Sequence, residues 1–258
     1  MNRKSIIYLC LVPWTLISCS VEEYLSQPNK IIGSNEQTPV NDDKLNIPEE
    51  LRNLPDSIGL LAVGCTVTHI GDGLVLTAGH CIPQEQEQSD ECLAKKHPKM
   101  TIRWNYRSGT TQFLESTCLK LIKRELSTAH DFALLKVDNP PQGSVRVELN
   151  QRPKAGQQMT LFAHPRKRAL EWSQYCTLSV LPNEFMPDLT AKDRKSLFAH
   201  QCDTEQGSSG APLFDTDSLK MIGVHHGGVE PWNTATWIPA SAISRAIKLA
   251  RQRDPLPN

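Results

Sequence analysis

The chain has 258 residues, which is enough for one large β domain or two small ones. Lys plus Arg and Asp plus Glu both number 28, so the formal net charge is zero and no nucleic-acid or strongly acidic partner is indicated. Aromatic residues make up only 6% of the chain, with 14 Gly and 18 Pro, a composition typical of a turn-rich β protein.

The first residues have the pattern of an export signal. Asn2-Arg3-Lys4 gives a positive start, and the mostly apolar run over 5–17 is too short to span a bilayer as a helix. The run ends at Leu16-Ile17-Ser18-Cys19, which resembles a bacterial lipobox and implies lipidation of Cys19. We therefore expect a lipoprotein signal peptide over 1–18 and an exported, periplasmic or outer-membrane-anchored protein. The alternative is an ordinary signal peptide that contains Cys19.

Residues 19–54 are polar and dotted with proline, and no steady hydrophobic period appears in them. Such a composition predicts a flexible tether between the anchor and the folded domain. Export into an oxidising compartment also permits disulfides.

Short strands separated by turns follow the tether. Gly71-Asp72-Gly73 between two apolar segments predicts a hairpin, and a polar surface loop is expected over 82–99. Asn139-Pro140-Pro141 breaks the chain and marks the junction between two halves. The segments that favour strands are 58–63, 64–70, 74–77, 101–106, 118–122 and 131–137 before this junction, and 159–164, 172–181, 198–202 and 219–224 after it.

A helix is predicted close to the C-terminus. Ser241 is placed to cap its first turn. Four apolar side chains then share one face at helical spacing, namely Ile243, Ala246, Ile247 and Ala250.

Three short motifs carry residue types that work together in nucleophilic catalysis. Ser209 lies in a tight glycine turn, Gly207-Ser208-Ser209-Gly210, where backbone amides can form a concave site for a negative oxygen. A serine hydroxyl needs a base to take its proton, and His80 supplies the side-chain type that most often acts as a general base. Asp131, at the start of an apolar strand, is placed to orient the imidazole.

The order His80, Asp131, Ser209, together with Gly223-Val224-His225-His226-Gly227-Gly228, resembles the trypsin-like serine peptidases over about residues 55–252. The likeness is greatest to their bacterial branch related to glutamyl endopeptidases. It implies an all-β fold of two six-stranded antiparallel β-barrels (chymotrypsin-like) with a C-terminal helix. The peptidase domain would span 55–258, with barrel 1 over about 55–138, barrel 2 over about 142–240 and the helix over about 241–252.

The resemblance implies a serine endopeptidase that cleaves proteins or peptides through an acyl-enzyme and needs no metal or cofactor. It assigns the oxyanion hole to the amides of Gly207 and Ser209, with Ser208 as the rival nucleophile. It also places Thr204 and His225 where glutamyl endopeptidases contact an acidic side chain, which suggests a preference for Glu before the scissile bond. We expect a monomer.

Two other functions fit parts of this pattern. An α/β-hydrolase is disfavoured because a strand, not a helix, is expected after Ser209. A catalytically silent lipoprotein that uses the peptidase fold for binding or structure stays open, although the complete set of His80, Asp131 and Ser209 weighs against it.

Six cysteines remain after Cys10 in the signal and Cys19 at the lipobox, and they permit 15 pairings. The resemblance implies a Cys65–Cys81 disulfide and suggests Cys176–Cys202, which leaves Cys92 with Cys118. No ligand spacing supports a zinc site made of Cys202, His200 and His225.

The sequence around Lys30-Ile31 resembles the activation site of trypsin-like zymogens, in which a freed Ile amine pairs with an Asp just before the nucleophile. Ser208 occupies that position here, so the usual salt bridge is not available. Asp203 or Glu205 remains as a substitute, but an exposed cleavable spot or a first strand is the favoured interpretation.

Overall fold

The structure is a computed structural model that describes residues 31–83, 100–152, 154–229, 231–239 and 241–253. Among these residues no helix has the length and apolar character needed to cross a membrane. The strands and α-helices in the described ranges are β1 Thr38–Pro39, β2 Ile58–Leu61, β3 Cys65–His69, β4 Leu74–Thr77, β5 Thr101–Trp104, β6 Leu114–Leu126, β7 Asp131–Val137, β8 Gln158–Ala163, β9 Glu171–Ser179, α1 Ala191–Arg194, β10 Leu197–His200, β11 Pro212–Asp215, β12 Met221–Val229, β13 Trp232–Trp237 and α2 Ala242–Arg253.

Six strands form the first barrel, which closes in the order β2-β3-β4-β7-β6-β5. The predicted hairpin joins β3 to β4, and Asp72 at its tip has a positive φ of 57°, a conformation that Asp tolerates better than most residues. Both faces of β7 are largely buried, which explains its continuous apolar run. The barrel interior is filled by apolar side chains that include Val67, Val75, Ile102, Trp104 and Leu135.

The second barrel is formed by the strands after the Asn139-Pro140-Pro141 break. Its hydrogen-bonded order is β9-β10-β13-β12-β11-β8, and pairing of β8 with β9 closes the ring. Strand β1 pairs with the outside edge of β9 and adds a seventh strand to the sheet. The two six-stranded barrels and the C-terminal helix predicted from the sequence are therefore confirmed.

A separate apolar cluster fills the space between the two barrels. Phe132 and Leu134 enter it from β7, while Phe162 and Phe214 enter it from the second barrel. The predicted face of α2 packs here, with Ile243 and Ile247 fully buried and Ala246 and Ala250 nearly so. The hydroxyl of Ser241 accepts the backbone N–H of Ile243 at 3.2 Å, which is the predicted helix cap.

The described part of the predicted tether, residues 31–54, is folded and belongs to the domain, which corrects the sequence expectation for this range. Val40 and Leu51 are completely buried in the cluster between the barrels, and Ile47 is 3% exposed. The Val40 N–H donates to Leu170 O at 2.8 Å, and its carbonyl accepts from Ser108 at 2.9 Å. The buried residues are irregularly spaced, so no period in the sequence revealed them.

Two of the three suggested disulfides lie within the described residues. Cys65 is bonded to Cys81 and Cys176 to Cys202. Cys118 is also disulfide-bonded. Cys92, its suggested partner, lies outside the described residues, as do Cys19, the signal peptide and Lys30.

Candidate active site

His80 and Asp131 form a hydrogen-bonded pair at one end of the first barrel. Strand β4 leads into a short 3₁₀ helix, Gly79–Cys81, which carries His80, and the neighbouring strand β7 begins with Asp131. One oxygen of Asp131 lies 2.6 Å from His80 Nδ1, and the other accepts the backbone N–H of His80 at 2.9 Å. The carboxylate therefore fixes both the backbone and the ring of His80.

The position before His80 accepts only glycine. A Cβ added to Gly79 would lie 2.2 Å from Glu125 O and 3.0 Å from Asp131 Oδ1. This close approach of the turn to the end of β6 and the start of β7 brings His80 within reach of the carboxylate.

Asp131 is completely buried, yet its charged form is favoured. Burial acts to raise the pKa of this carboxyl, but the charge of His80 and the hydrogen bonds from it hold the pKa below its usual value. The pair can therefore stabilise a proton that arrives on the imidazole.

Ser209 lies in a loop of the second barrel that the first barrel holds in place. The Thr66 N–H donates to Ser209 O at 2.8 Å, and the Thr66 hydroxyl donates to Gly207 O at 2.9 Å. Gly210 has φ of +87°, and a Cβ there would lie 2.1 Å from Thr66 O. Contact between β3 and the loop therefore requires glycine after Ser209.

The backbone of Ser209 lies against the residues that flank His80. Its carbonyl oxygen is 4.0 Å from the sulfur of Cys81, and a Cβ on Gly210 would lie 3.0 Å from Ala78 N. The Ser209 hydroxyl makes no hydrogen bond within the described part of the chain. Catalytic hydrogen bonds often tighten only when substrate binds.

Two amides of the loop remain available for an incoming oxygen. The N–H groups of Ser208, Gly210 and Ala211 donate to carbonyls within the protein. Among the described residues, the N–H groups of Gly207 and Ser209 have no acceptor. Gly207 reaches this arrangement through a positive φ of 98°. These are the two amides that the sequence analysis assigned to the oxyanion hole.

Thr204 and His225, the two predicted specificity residues, belong to one connected polar wall. Thr204 donates its hydroxyl to Asn233 Oδ1 at 3.0 Å, and His225 Nδ1 lies 3.1 Å from His200 Nε2. Asn233 and His200 face each other across β13 and β10. Asn233 and His200 are two residues of this wall that the sequence did not predict. The sequence pattern over 198–202 places His200 on a predicted strand, but no local motif marks Asn233.

His226 is the extra residue of a β-bulge, because His225 pairs with Ala235 and Gly227 with the next residue, Thr234. The ring is buried and its Nε2 has no hydrogen-bond partner among the described residues. Burial lowers the pKa of His226 to about 4, and the nearby Asp131 and His80 act on it in opposite directions. A second imidazole, kept neutral, is therefore close to the His80–Asp131 pair.

The sulfurs next to these histidines are not available as thiolates. Cys65 and Cys81 lie close to His80, and Cys176 and Cys202 lie close to His200, in arrangements whose ligand atoms are within 4.8 Å of one another. Both cysteine pairs are disulfide-bonded. Thiolate, not disulfide sulfur, is the metal ligand, so these groups fit a disulfide role.

We expect the free energy of unfolding to fall as the pH drops from about 6.5 to 4. Burial lowers the pKa of His164 and His226 to about 4 and that of His200 to about 3. In the unfolded chain these imidazoles take up protons near pH 6.5. The unfolded state therefore binds more protons below pH 6.5, and each group contributes roughly 1.4 kcal/mol per pH unit until its folded pKa is reached.

Urea unfolding at pH 7.5, 6.5 and 5.5 measures this effect before most carboxylates titrate. His164→Asn is the matched variant, because an amide can replace the 3.0 Å contact of Nδ1 with Arg168 O without titrating. In this variant the unfolding free energy should fall less steeply with decreasing pH, because unfolding takes up as much as one proton fewer. An unfolding free energy that stays constant between pH 6.5 and 5.5 would show that these rings are not buried in neutral form.

Comparisons with known proteins agree with the geometry. Residues 64–224 match the family model of the trypsin-like peptidase domain, which is more than half of the chain and includes His80, Asp131 and Ser209. No curated protein matches the chain. Structures of similar fold include a Glu endopeptidase in complex with MPD, at 17% identity and a TM-score of 0.61. The alignment covers 86% of this chain and 100% of the Glu endopeptidase chain.

Two further solved structures share the fold. The VesB protease of Vibrio cholerae is 15% identical with a TM-score of 0.60, covering 88% of this chain and 68% of its own. A serine endoprotease from Yersinia pestis is 18% identical with a TM-score of 0.53, covering 81% and 69% respectively. At these identities the similarity concerns the fold.

Proposed function

This chain belongs to the family of trypsin-like peptidases, and from that premise we propose that it is a serine endopeptidase with the triad Ser209, His80 and Asp131. One juxtaposition carries the proposal. The His80–Asp131 pair, with its carboxylate buried, lies beside a loop in which the Gly207 and Ser209 amides have no acceptor among the described residues.

In the first half of the proposed reaction, His80 takes the Ser209 proton as the hydroxyl oxygen attacks the peptide carbonyl carbon. The carbonyl oxygen becomes negative and is stabilised by the amides of Gly207 and Ser209. Asp131 accepts a hydrogen bond from the Nδ1–H of His80 and, as a carboxylate, stabilises the imidazolium. His80 then gives its proton to the leaving amine, and an acyl-enzyme remains.

In the second half, a water molecule takes the place of the amine. His80 removes a proton from this water, whose oxygen attacks the acyl carbon. Collapse of the second tetrahedral intermediate returns the proton to Ser209 and releases the carboxylic acid product. Both halves use the same groups, so no metal or cofactor is required.

We also propose a preference for Glu before the scissile bond. Thr204 and His225 lie on one wall with His200 and Asn233, and a substrate carboxylate bound there would replace their present partners, Asn233 Oδ1 for the Thr204 hydroxyl and His200 Nε2 for His225 Nδ1. The imidazoles of this wall are neutral, since burial lowers the pKa of His200 to about 3 and, together with neighbouring histidines, holds that of His225 well below its usual value. A substrate carboxylate would counteract that penalty on a protonated ring.

Peptides that differ only at the residue before the scissile bond test both levels of this proposal. We expect wild type to cleave a Glu peptide faster than matched Phe and Lys peptides. His225→Ala should lower kcat/KM for the Glu peptide roughly 10-fold to 100-fold, the loss of one hydrogen bond to a charged group, and leave the Phe peptide almost unchanged. Equal turnover of all three peptides by wild type would end the Glu preference; no turnover of any would contradict the peptidase.

We further propose that the protein is exported and lipid-anchored through Cys19. The Cys65–Cys81 and Cys176–Cys202 disulfides support an oxidising compartment. In detergent phase separation, the full chain should enter the detergent phase and Cys19→Ala the aqueous phase. Aqueous partitioning of both chains would contradict the anchor.

A further inference from the structure

We propose that Glu205, held by Arg168 and Arg166, positions the nucleophile loop, so that the oxyanion hole is formed without cleavage after Lys30. This inference rests on the proposed peptidase function. In it Glu205 and Arg168 are positioning residues, which act on the reaction through the loop and do not touch the substrate.

Glu205 lies four residues before Ser209, and both of its carboxylate oxygens are engaged. Oε1 accepts from Arg168 Nη2 at 2.7 Å, and Oε2 is paired with Arg166 Nε. Arg168 also binds the carboxylate of Glu171 with Nε at 2.7 Å and Nη2 at 3.0 Å. The Glu205 side chain is only 11% exposed, whereas the side chains of Arg168 and Arg166 are 40% and 69% exposed, so solvent screens the arginine side of these ion pairs more than the carboxylate side.

Arg166 and Arg168 belong to a strained turn between β8 and β9 that packs against the nucleophile loop. Arg166 and Lys167 both have positive φ, 49° and 61°. The Arg166 N–H donates to Gln206 O. A Cβ on Gly207 would lie 2.6 Å from His164 O and 2.9 Å from Arg166 N. Side-chain and backbone contacts therefore hold the same stretch of loop, immediately before the two amides of the oxyanion hole.

Two hydrogen bonds connect Glu205 to Ser208, the residue next to the nucleophile. The Ser208 N–H donates to Glu205 O at 2.9 Å, and the Glu205 N–H donates to Ser208 Oγ at 3.2 Å. This reciprocal pair closes a small ring that contains Gly207. Ser208 is completely buried, so its position is fixed, and with it the directions of the Gly207 and Ser209 amides.

Such a hold is needed because the Gly207 and Ser209 amides have no acceptor among the described residues that would fix their directions. Ser208 stands where a zymogen-type salt bridge would need a carboxylate, and its hydroxyl is already used by Glu205. At the start of the loop, Asp203 accepts the backbone amides of Ile32 and Glu36 at 2.7 and 2.8 Å. Backbone amides within a continuous chain make these bonds, so no freed amine is required.

The test compares kcat and KM of full-length variants on one peptide. Glu205→Gln, which keeps the shape but removes the charge, should lower kcat about 100-fold, the usual loss for one oxyanion donor, and change KM less than about threefold, since ground-state binding does not use the oxyanion hole. Arg168→Met should behave likewise, and Arg168→Lys should recover much of the loss. A peptide aldehyde, which forms a tetrahedral adduct, should lose affinity in parallel with kcat/KM.

The matched control is Glu171→Gln, which removes the other partner of Arg168 and leaves the loop contacts in place; its kcat should stay within about threefold of wild type. Lys30→Ala should also keep wild-type kcat. If Glu205→Gln does not fold, the Arg168→Met and Arg168→Lys pair decides. Wild-type kcat in Glu205→Gln or Arg168→Met, or loss of activity in Lys30→Ala, would overturn the positioning proposal. Inactivity of wild type would instead overturn the proposed function.

Discussion

Ser209→Ala is expected to lower kcat for peptide hydrolysis by about 10⁶-fold, because it removes the atom that forms the acyl-enzyme. The loop should keep its shape, since its bonds to Thr66 and His225 are made by the backbone carbonyl of Ser209 and the amide of Gly210. KM should therefore change little. Initial rates with an internally quenched peptide, at enzyme concentrations high enough to detect residual turnover, measure the effect.

Ser208→Ala is the matched control for this substitution. It removes the neighbouring hydroxyl, which accepts one hydrogen bond from Glu205, so kcat should fall no more than about tenfold. The two variants differ only in which of two adjacent hydroxyls is absent. A large loss in Ser208→Ala with activity retained in Ser209→Ala would reassign the nucleophile.

Asp131→Asn is expected to lower kcat about 10⁴-fold at neutral pH. The carboxylate bonds both the backbone N–H and the Nδ1 of His80, at 2.9 and 2.6 Å. In the variant, the amide oxygen can accept the backbone N–H only if the NH₂ group faces Nδ1. That ring nitrogen must then accept a hydrogen bond from the amide, so the imidazole proton moves to Nε2, the nitrogen that should serve as the base.

Kinetics of Asp131→Asn over pH 6 to 9, with a thermal unfolding curve to check the fold, measure this effect. The loss should appear in kcat, because Asp131 is buried and does not contact substrate. A kcat within tenfold of wild type in a folded variant would mean that His80 does not depend on this carboxylate.

The sequence predicted the parts of the site that depend on local chemistry. His80 and Asp131 follow or open continuous apolar strands, so their motifs could be placed on strand ends. The glycines of the nucleophile loop are required by positive φ and by close contact with Thr66, and both leave a trace in the sequence. The amphipathic face of α2 and its Ser241 cap were visible for the same reason.

Contacts between distant segments left no such trace. The Arg168–Glu205 and Thr204–Asn233 pairs join residues that are 37 and 29 positions apart, in segments with no periodic pattern. Burial of Val40 and Leu51 depends on the groove between the barrels, which exists only after both have folded. These contacts could therefore be identified only from the three-dimensional structure.

The measurement that tests the central claim most directly is covalent labelling of the native protein by a fluorophosphonate, with the modified residue located by mass spectrometry of peptides. The reagent needs an activated hydroxyl and a site for a negative oxygen. We expect one phosphonyl group, on Ser209, in wild type, and none in His80→Ala. A folded wild-type protein that stays unmodified, or that carries the label on another residue, would contradict it.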